Sequence, residues 1–130
     1  MQEEKHKMIM IYINESHKSI LEKFFDEIDF YYYTVQRKVE SVWSEKLKHK
    51  NTNVWPGTDC IFMLALPEEK VDWMLKMLKT FRLSLPYSIV MSIGVIPMDR
   101  TIPDLTLDSV IDVDGKILDS CTKVEVVVNA

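Results

Sequence analysis

Residues Met8 to Ile28 read MIMIYINESHKSILEKFFDEI, and the fold follows from the change of pattern in the middle of this segment. Its first six residues form a continuous apolar run rich in β-branched side chains, which is typical of a strand covered on both faces. Asn14 or Ser16 can cap a following helix. That helix has one apolar stripe, formed by Ile20, Leu21, Phe24, Phe25 and Ile28.

The same alternation of strand and helix continues along the chain. Phe30 to Val35 is aromatic and β-branched, which predicts a second strand, and Cys60 to Leu66 predicts a third. Pro67, Glu68 and Glu69 suit the first turn of a helix. The apolar stripe of that helix consists of Val71, Met74, Leu75, Leu78 and Phe81.

Ser88 to Ile96 predicts a fourth strand, which we expect Pro97 to stop because proline cannot donate a ladder hydrogen bond. Two successive strand-helix-strand units place both helices on one face of a sheet. The sequence therefore predicts an α+β, ferredoxin-like βαββαβ sandwich with a four-stranded antiparallel sheet. We assign residues 1–100 to this domain.

Residues 101–130 are expected to form a C-terminal β extension rather than an independent domain. Ser109 to Leu118 predicts a hairpin around Asp114-Gly115, and Lys123 to Val128 has the composition of a strand. A partly ordered tail is the alternative interpretation.

Composition limits the class of protein. The chain has 130 residues, of which 47% are apolar, so one packed domain is expected. No apolar run reaches the roughly 20 residues that span a bilayer, and we expect a cytoplasmic protein that does not insert into membranes. A net charge of −4 argues against general nucleic-acid binding.

The first and fourth predicted strands are apolar on both sides, so the face of the sheet without helices is also predicted to be apolar. A monomer would expose this patch to water. We therefore expect the chain to form oligomers through the helix-free face.

The order of elements, the long loop over residues 36–56 and the turn Asn53-Val54-Trp55-Pro56-Gly57 together resemble a known family. Residues Lys7 to Met98 are similar to PII-type nitrogen regulatory proteins, in particular to a diverged PII-like group. The resemblance implies a homotrimer with its sheets turned inward. It also implies that the loop projects outward to meet a protein partner, for which a membrane transporter is one candidate.

The sequence departs from conventional PII proteins where those proteins bind ATP or ADP. They use a Gly- and Lys-rich connection between the second helix and the fourth strand, because glycine lets backbone amides approach phosphates. Here we expect that connection at Lys79 to Pro86, which contains no glycine. No nucleotide ligand is carried over and no cofactor is identified, although Lys79 and Arg82 could contact an anion.

The predicted loop combines basic and aromatic side chains, which suits an anionic ligand or an acidic partner surface. A solvated loop is the alternative interpretation. The candidate residues for this contact are Arg37, Lys38, Trp43, Lys46, Lys48, His49, Lys50 and Trp55.

No metal site or catalytic residue is predicted. The possible metal ligands show no paired spacing; they are His6, Glu15, His17, His49, Cys60 and Cys121. Ser16 and His17 are neighbours whose side chains we expect to diverge. The predicted function is a non-enzymatic regulatory subunit that binds a small ligand or metal at trimer clefts. A small ferredoxin-like enzyme of the dimeric-barrel type and a divalent metal-tolerance protein are the alternatives.

Overall fold

The computed structural model describes residues 5–52, 57–102 and 104–122 of the chain. The first half contains β1 (His6–Asn14), a 3-10 turn (Glu15–His17), α1 (Lys18–Glu27), β2 (Thr34–Val39), β3 (Ser41–Ser44) and β4 (Leu47–His49). The second half contains β5 (Asp59–Pro67), α2 (Glu68–Ser84), β6 (Met91–Met98), a second 3-10 turn (Leu107–Ser109) and α3 (Gly115–Thr122).

The main sheet has four strands in the order β2-β5-β1-β6, and all of its pairings are antiparallel. This order, with α1 following β1 and α2 following β5, is the predicted ferredoxin-like arrangement, so the fold class is confirmed. Strands β3 and β4 form a separate two-stranded hairpin between β2 and β5.

The core lies between the helices and one face of the sheet. Ile9, Ile11 and Ile13 alternate along β1, are fully buried, and pair in register with Leu64, Phe62 and Cys60 of β5. The helices contribute Leu21, Phe25, Val71, Met74, Leu78 and Phe81 to the same cluster. Burial of these side chains is the main favourable term for folding.

The opposite face of the sheet is apolar at its centre, and none of the described helices packs on it. Met8, Met10 and Tyr12 of β1 and Met63 of β5 point to this face and are half-buried. The described part of the C-terminal extension leaves the face open, because every residue from Asp104 to Cys121 is exposed. The β3-β4 hairpin approaches this face through an edge contact between Trp43 and Tyr12.

The second strand begins four residues later than predicted. Asp29 has a positive φ of 55°, and the Phe30 amide donates to the Phe25 carbonyl, which closes the end of α1. Phe30 is buried, and its ring and that of Tyr33 both contact Phe25. The aromatic side chains at 30–33 therefore pack against α1 instead of forming a strand.

The interval 36–56, predicted as a long loop, contains regular structure. Strand β2 continues to Val39 through a register irregularity after Gln36, where Lys38 has a positive φ of 58°. The β3-β4 hairpin follows it at once. In the predicted turn at 53–57, Gly57 has a φ of 85°, whereas Trp55 and the other three positions lie outside the described residues.

The second helix extends further than predicted, and the fourth sheet strand, predicted at Ser88 to Ile96, is shifted to Met91–Met98. Lys79 to Ser84 forms the last turns of α2, so the expected connection at Lys79 to Pro86 is wrong; the connection is residues 85–90, which also contain no glycine. Pro97 lies within β6 and does not stop it. Since β6 is an edge strand, the missing N–H of Pro97 is tolerated.

The C-terminal hairpin prediction is wrong. Asp114 caps α3, because its side chain accepts a hydrogen bond from the Ile117 amide at 3.0 Å and its carbonyl accepts one from the Leu118 amide. An aspartate before glycine can start a helix as well as a turn. The predicted strand at Lys123 to Val128 lies outside the described residues. Among the described helices, none is long and apolar enough to cross a bilayer.

Candidate functional site

A buried carboxylate fixes the β3-β4 hairpin to the main sheet. Asp59, the first residue of β5, is fully buried. Its Oδ2 accepts a hydrogen bond from Trp43 Nε1 at 2.8 Å, and its Oδ1 lies 2.8 Å from His49 Nδ1. Because an ionised carboxylate only accepts, the proton of the second contact lies on the imidazole. We call these three residues the hairpin anchor.

The anchor joins both strands of the hairpin to one strand of the sheet, since Trp43 lies on β3, His49 on β4 and Asp59 on β5. Trp43 also contacts Tyr12 of β1 edge to face, with ring centroids 6.2 Å apart. A carboxylate that is buried without hydrogen-bond partners destabilises the fold. Here the hairpin supplies two donors, Trp43 Nε1 and His49 Nδ1, to the Asp59 carboxylate. The hairpin therefore has a defined orientation relative to the sheet.

Glu15 binds Arg37 and Lys38, which lie just before the β3-β4 hairpin and form its base. Its Oε1 accepts a hydrogen bond from the Lys38 amide at 2.7 Å, and its Oε2 lies 3.6 Å from Arg37 Nη2. The Glu15 amide in turn donates to the Thr58 carbonyl just before β5. The chain therefore enters the hairpin next to the Glu15 carboxylate. After the hairpin it reaches the Asp59 carboxylate at the start of β5.

A polar cavity of about 450 Å³ lies at this base. Its two cations are balanced, because Lys18 pairs with Glu22 at 2.8 Å and Arg37 pairs with Glu15. The cavity is lined by Asn14, Glu15, Ser16, Lys18, Ser19, Arg37, Gly57 and Thr58. We call it the basal cavity.

Two further cavities lie elsewhere on the surface. One, of about 290 Å³, separates the hairpin from β6 on the helix-free face and is lined by Tyr12, Ser41, Val42, Trp43 and Ser92. The other, of about 560 Å³, lies at the C-terminal end of α2 and is lined by Lys79, Arg82, Leu83 and Leu85.

The structure places the predicted loop residues in different environments. Trp43 and His49 turn inward to Asp59 and so belong to the support of the hairpin. Lys46 and Lys50 are exposed, as are Val42 and Leu47 on the same hairpin. Arg37 and Lys38 lie at the base, and Lys48 is half-buried on β4.

Asp59 was missed by the sequence analysis. An acid as the first residue of an otherwise apolar strand was the available signal, but its partners lie 16 and 10 residues away and only the folded hairpin brings them close.

Ser16 and His17 form part of a helix cap, and the expectation that their side chains diverge is wrong. His17 Nδ1 lies 3.1 Å from Ser16 Oγ. Ser16 Oγ also lies 2.6 Å from Asn14 Oδ1, an oxygen that only accepts, so the hydroxyl donates its proton there. The imidazole then donates to the hydroxyl, whereas a general base for a serine nucleophile must accept from it.

The candidate metal ligands are not gathered in the described ranges, where no group of three or more His, Cys, Asp or Glu side chains could hold an ion. His6 contacts Thr101, and the His17 ring contacts Tyr87. Burial, followed by the nearby charge of Glu15, raises the pKa of Cys60 to about 11, so this buried thiol stays protonated at neutral pH. Cys121 is exposed.

Comparison with known proteins gives the class of the fold. No protein-family model and no curated protein matches the sequence. The chain is similar in structure to CPII from Thiomonas intermedia, a nitrogen regulatory PII-like protein bound to ADP, AMP and bicarbonate. The TM-score is 0.51 at 18% identity, covering 74% of this chain and 90% of that chain.

Two other solved structures share the arrangement. A functionally unknown protein from Pediococcus pentosaceus gives a TM-score of 0.55 at 15% identity, covering 78% of this chain and 100% of that chain. A Bacillus cereus protein related to NIF3 gives 0.50 at 13% identity, covering 77% of this chain and 27% of that chain. The chain therefore has the fold of PII-like proteins, and the resemblance seen in its sequence is confirmed at the level of the fold.

Proposed function

We propose that this chain is a non-enzymatic, PII-like regulatory subunit that acts in the cytoplasm as a homotrimer. It binds a small ligand or metal at the clefts between subunits and contacts a protein partner through residues 36–56. Membrane transporters are the first class of partner to test.

The hairpin anchor is the observation that carries this proposal. An arm that reports ligand binding to a partner needs a defined connection to the rest of the subunit. Asp59 supplies it, because both strands of the hairpin donate to its buried carboxylate.

The exposed part of the hairpin has the chemistry of a contact surface for an acidic protein. Val42 and Leu47 expose 59% and 39% of their surface, Lys46 precedes Leu47, and Lys50 follows the last residue of β4. Small apolar patches flanked by cations favour a partner that presents carboxylates around an apolar centre.

The basal cavity is the proposed point at which a ligand acts on the hairpin. Glu15 and Arg37 line it, and the same two residues hold the start of the segment. A ligand that binds one arrangement of this ion pair more tightly than another shifts the hairpin toward that arrangement. The effect of the ligand on partner binding cannot exceed the difference between its affinities for the two arrangements.

The helix-free face supports the homotrimer. Its centre is apolar and half-buried in the single chain, with Met8, Met10 and Met63 along two neighbouring strands. Covering this face with sister subunits removes that area from water.

A thermal-shift panel tests the ligand. It comprises ADP, AMP and bicarbonate, the groups bound in the CPII structure, together with ATP and divalent zinc, copper and cobalt. A ligand at 100 times its Kd stabilises the folded state by about 2.7 kcal/mol, which raises the melting temperature by several degrees.

The variant Arg37→Ala tests the contacts of an anionic ligand in the basal cavity. We expect it to reduce the ligand-induced shift in melting temperature, whereas Lys70→Ala, an exposed lysine at the start of α2, leaves the shift unchanged. A panel in which no compound changes the melting temperature contradicts the sensing role.

A further inference from the structure

The C-terminal extension presents apolar side chains that nothing in the described chain covers. Leu107 and Ile111 expose 92% and 83% of their surface, and Ile102 and Leu105 expose 72% and 68%. In α3, Ile117, Leu118 and Cys121 fall on one side at helical spacing and are also exposed. Exposed apolar surface of this extent marks an interaction site.

The same extension is acidic. Between residues 104 and 122 the acids are Asp104, Asp108, Asp112, Asp114 and Asp119, and the single base is Lys116. Asp114 is used to cap α3. Asp108 and Asp112 are exposed, and their carboxylates form no hydrogen bond or ion pair with other residues in the described ranges.

The C-terminal end of α2 has the complementary character. Leu83 exposes 87% of its surface beside the cavity of about 560 Å³ that it lines with Lys79, Arg82 and Leu85. Arg82 donates to the Leu85 carbonyl at 3.3 Å, which fixes its guanidinium at the rim. Lys79 is exposed and forms no ion pair with another described residue. We call these four residues the basic patch.

The C-terminal extension starts at the end of the domain opposite to the basic patch of the same chain. It leaves β6 at Met98, which pairs with His6, and α2 begins at that same end, where the Glu68 amide donates to the Lys5 carbonyl. The basic patch lies at the other end of the 17-residue helix, about 25 Å away. Within one chain Leu83 and Leu107 are both almost fully exposed, so neither covers the other.

We propose that the basic patch is a docking site for the acidic C-terminal extension of a second copy of this chain. The apolar side chains around Leu107 and Ile111 cover Leu83 and Leu85, and Asp108 and Asp112 face Lys79 and Arg82. Opposite charges set the orientation of the contact, and burial of the leucines supplies most of its free energy.

A cross-linking experiment between two different chains tests the proposal. One chain carries an affinity tag with Leu83→Cys and Cys121→Ser, and the other is the natural sequence with its exposed Cys121. A short bis-maleimide can then join position 83 either to Cys121 of an untagged copy or to position 83 of a second tagged copy, because Cys60 is buried and protonated. The two products differ by the mass of one tag, and we expect the covalent dimer of one tagged and one untagged chain on a denaturing gel.

The matched control replaces Leu83→Cys by Tyr32→Cys in the tagged chain. Tyr32 is exposed at 76% and follows α1 at the opposite end of the domain. Equal cross-linking from positions 32 and 83 would overturn the proposal.

Charge reversal separates docking from chance collision. Lys79→Glu with Arg82→Glu in the tagged chain should lower the yield roughly tenfold, since two attractive pairs become repulsive. Asp108→Lys with Asp112→Lys in the untagged chain should restore the yield. A yield that ignores both changes contradicts the proposal, and because no ligand is present the result is independent of the regulatory function proposed above.

Discussion

His49 Nδ1 lies 2.8 Å from Asp59 Oδ1, and the carboxylate that it contacts is fully buried at the start of β5. The two residues are ten positions apart and belong to different sheets. Their contact makes the β3-β4 hairpin part of the folded domain, and the proposed function depends on this connection.

Removing the carboxylate should destabilise the whole domain. Asp59→Ala leaves the donors of Trp43 and His49 without their acceptor and creates a cavity at the start of β5. We expect the free energy of unfolding to fall by about 3 kcal/mol, measured by urea denaturation. Asp72→Ala, an exposed aspartate on α2, should change it by less than about 0.5 kcal/mol. Equal losses in the two variants would show that Asp59 has no special role.

Trp43→Phe should loosen the hairpin with a smaller cost to the domain. Phenylalanine keeps an aromatic ring near Tyr12 but has no N–H, so Asp59 Oδ2 loses its donor. Cleavage by trypsin after Lys46, in the hairpin turn, should become faster than in the natural sequence. Trp73→Phe, on the surface of α2, is the matched control. An unchanged rate at Lys46 in Trp43→Phe argues against the anchor.

Stability should fall at high pH through Cys60. Burial raises the pKa of this thiol from 9.0 to about 11, so the folded state favours the protonated form. The contribution is complete below pH 9, where both states are protonated, and is lost as the pH rises from about 9 to about 11. Unfolding curves recorded over this range should show the decline, and Cys60→Ala should flatten it. A Cys60→Ala profile parallel to that of the natural sequence would rule out the thiol as its source.

The oligomer should depend on the helix-free face. Met10→Lys places a charge at the centre of this face, whereas Asp72→Lys places the same side chain on exposed α2. Sedimentation equilibrium at micromolar concentration should show a trimer for the natural sequence and Asp72→Lys and a monomer for Met10→Lys, with circular dichroism confirming that all three are folded. A natural chain that sediments as a monomer contradicts the homotrimer.

The sheet and its core could be predicted from sequence because they follow from periodicity. Ile9, Ile11 and Ile13 lie in a run whose composition indicates a strand, and the stripe containing Leu78 and Phe81 indicates the helix above it. The start of β2 could not be predicted. Phe30 and Tyr33 are residue types that favour strands, but here their rings pack on Phe25 of α1.

The hairpin and its anchor were also beyond sequence reasoning. Strands β3 and β4 are only four and three residues long and largely polar, too short for an alternation to be recognised. The basic residues drew attention to this segment, but the inward orientation of Trp43 and His49 depends on Asp59, a contact that exists only after the sheet has formed. The hairpin predicted at Asp114-Gly115 is wrong because the same dipeptide can start either a helix or a turn.

The central claim is that ligand binding makes the anchored β3-β4 hairpin more ordered. Hydrogen exchange of residues 37–50, measured by mass spectrometry with and without the ligand found in the thermal-shift panel, tests it most directly. We predict slower exchange in this segment when the ligand is bound, and a much smaller effect in Asp59→Asn. A ligand that protects other parts of the chain and leaves residues 37–50 unchanged in the natural sequence would contradict the claim.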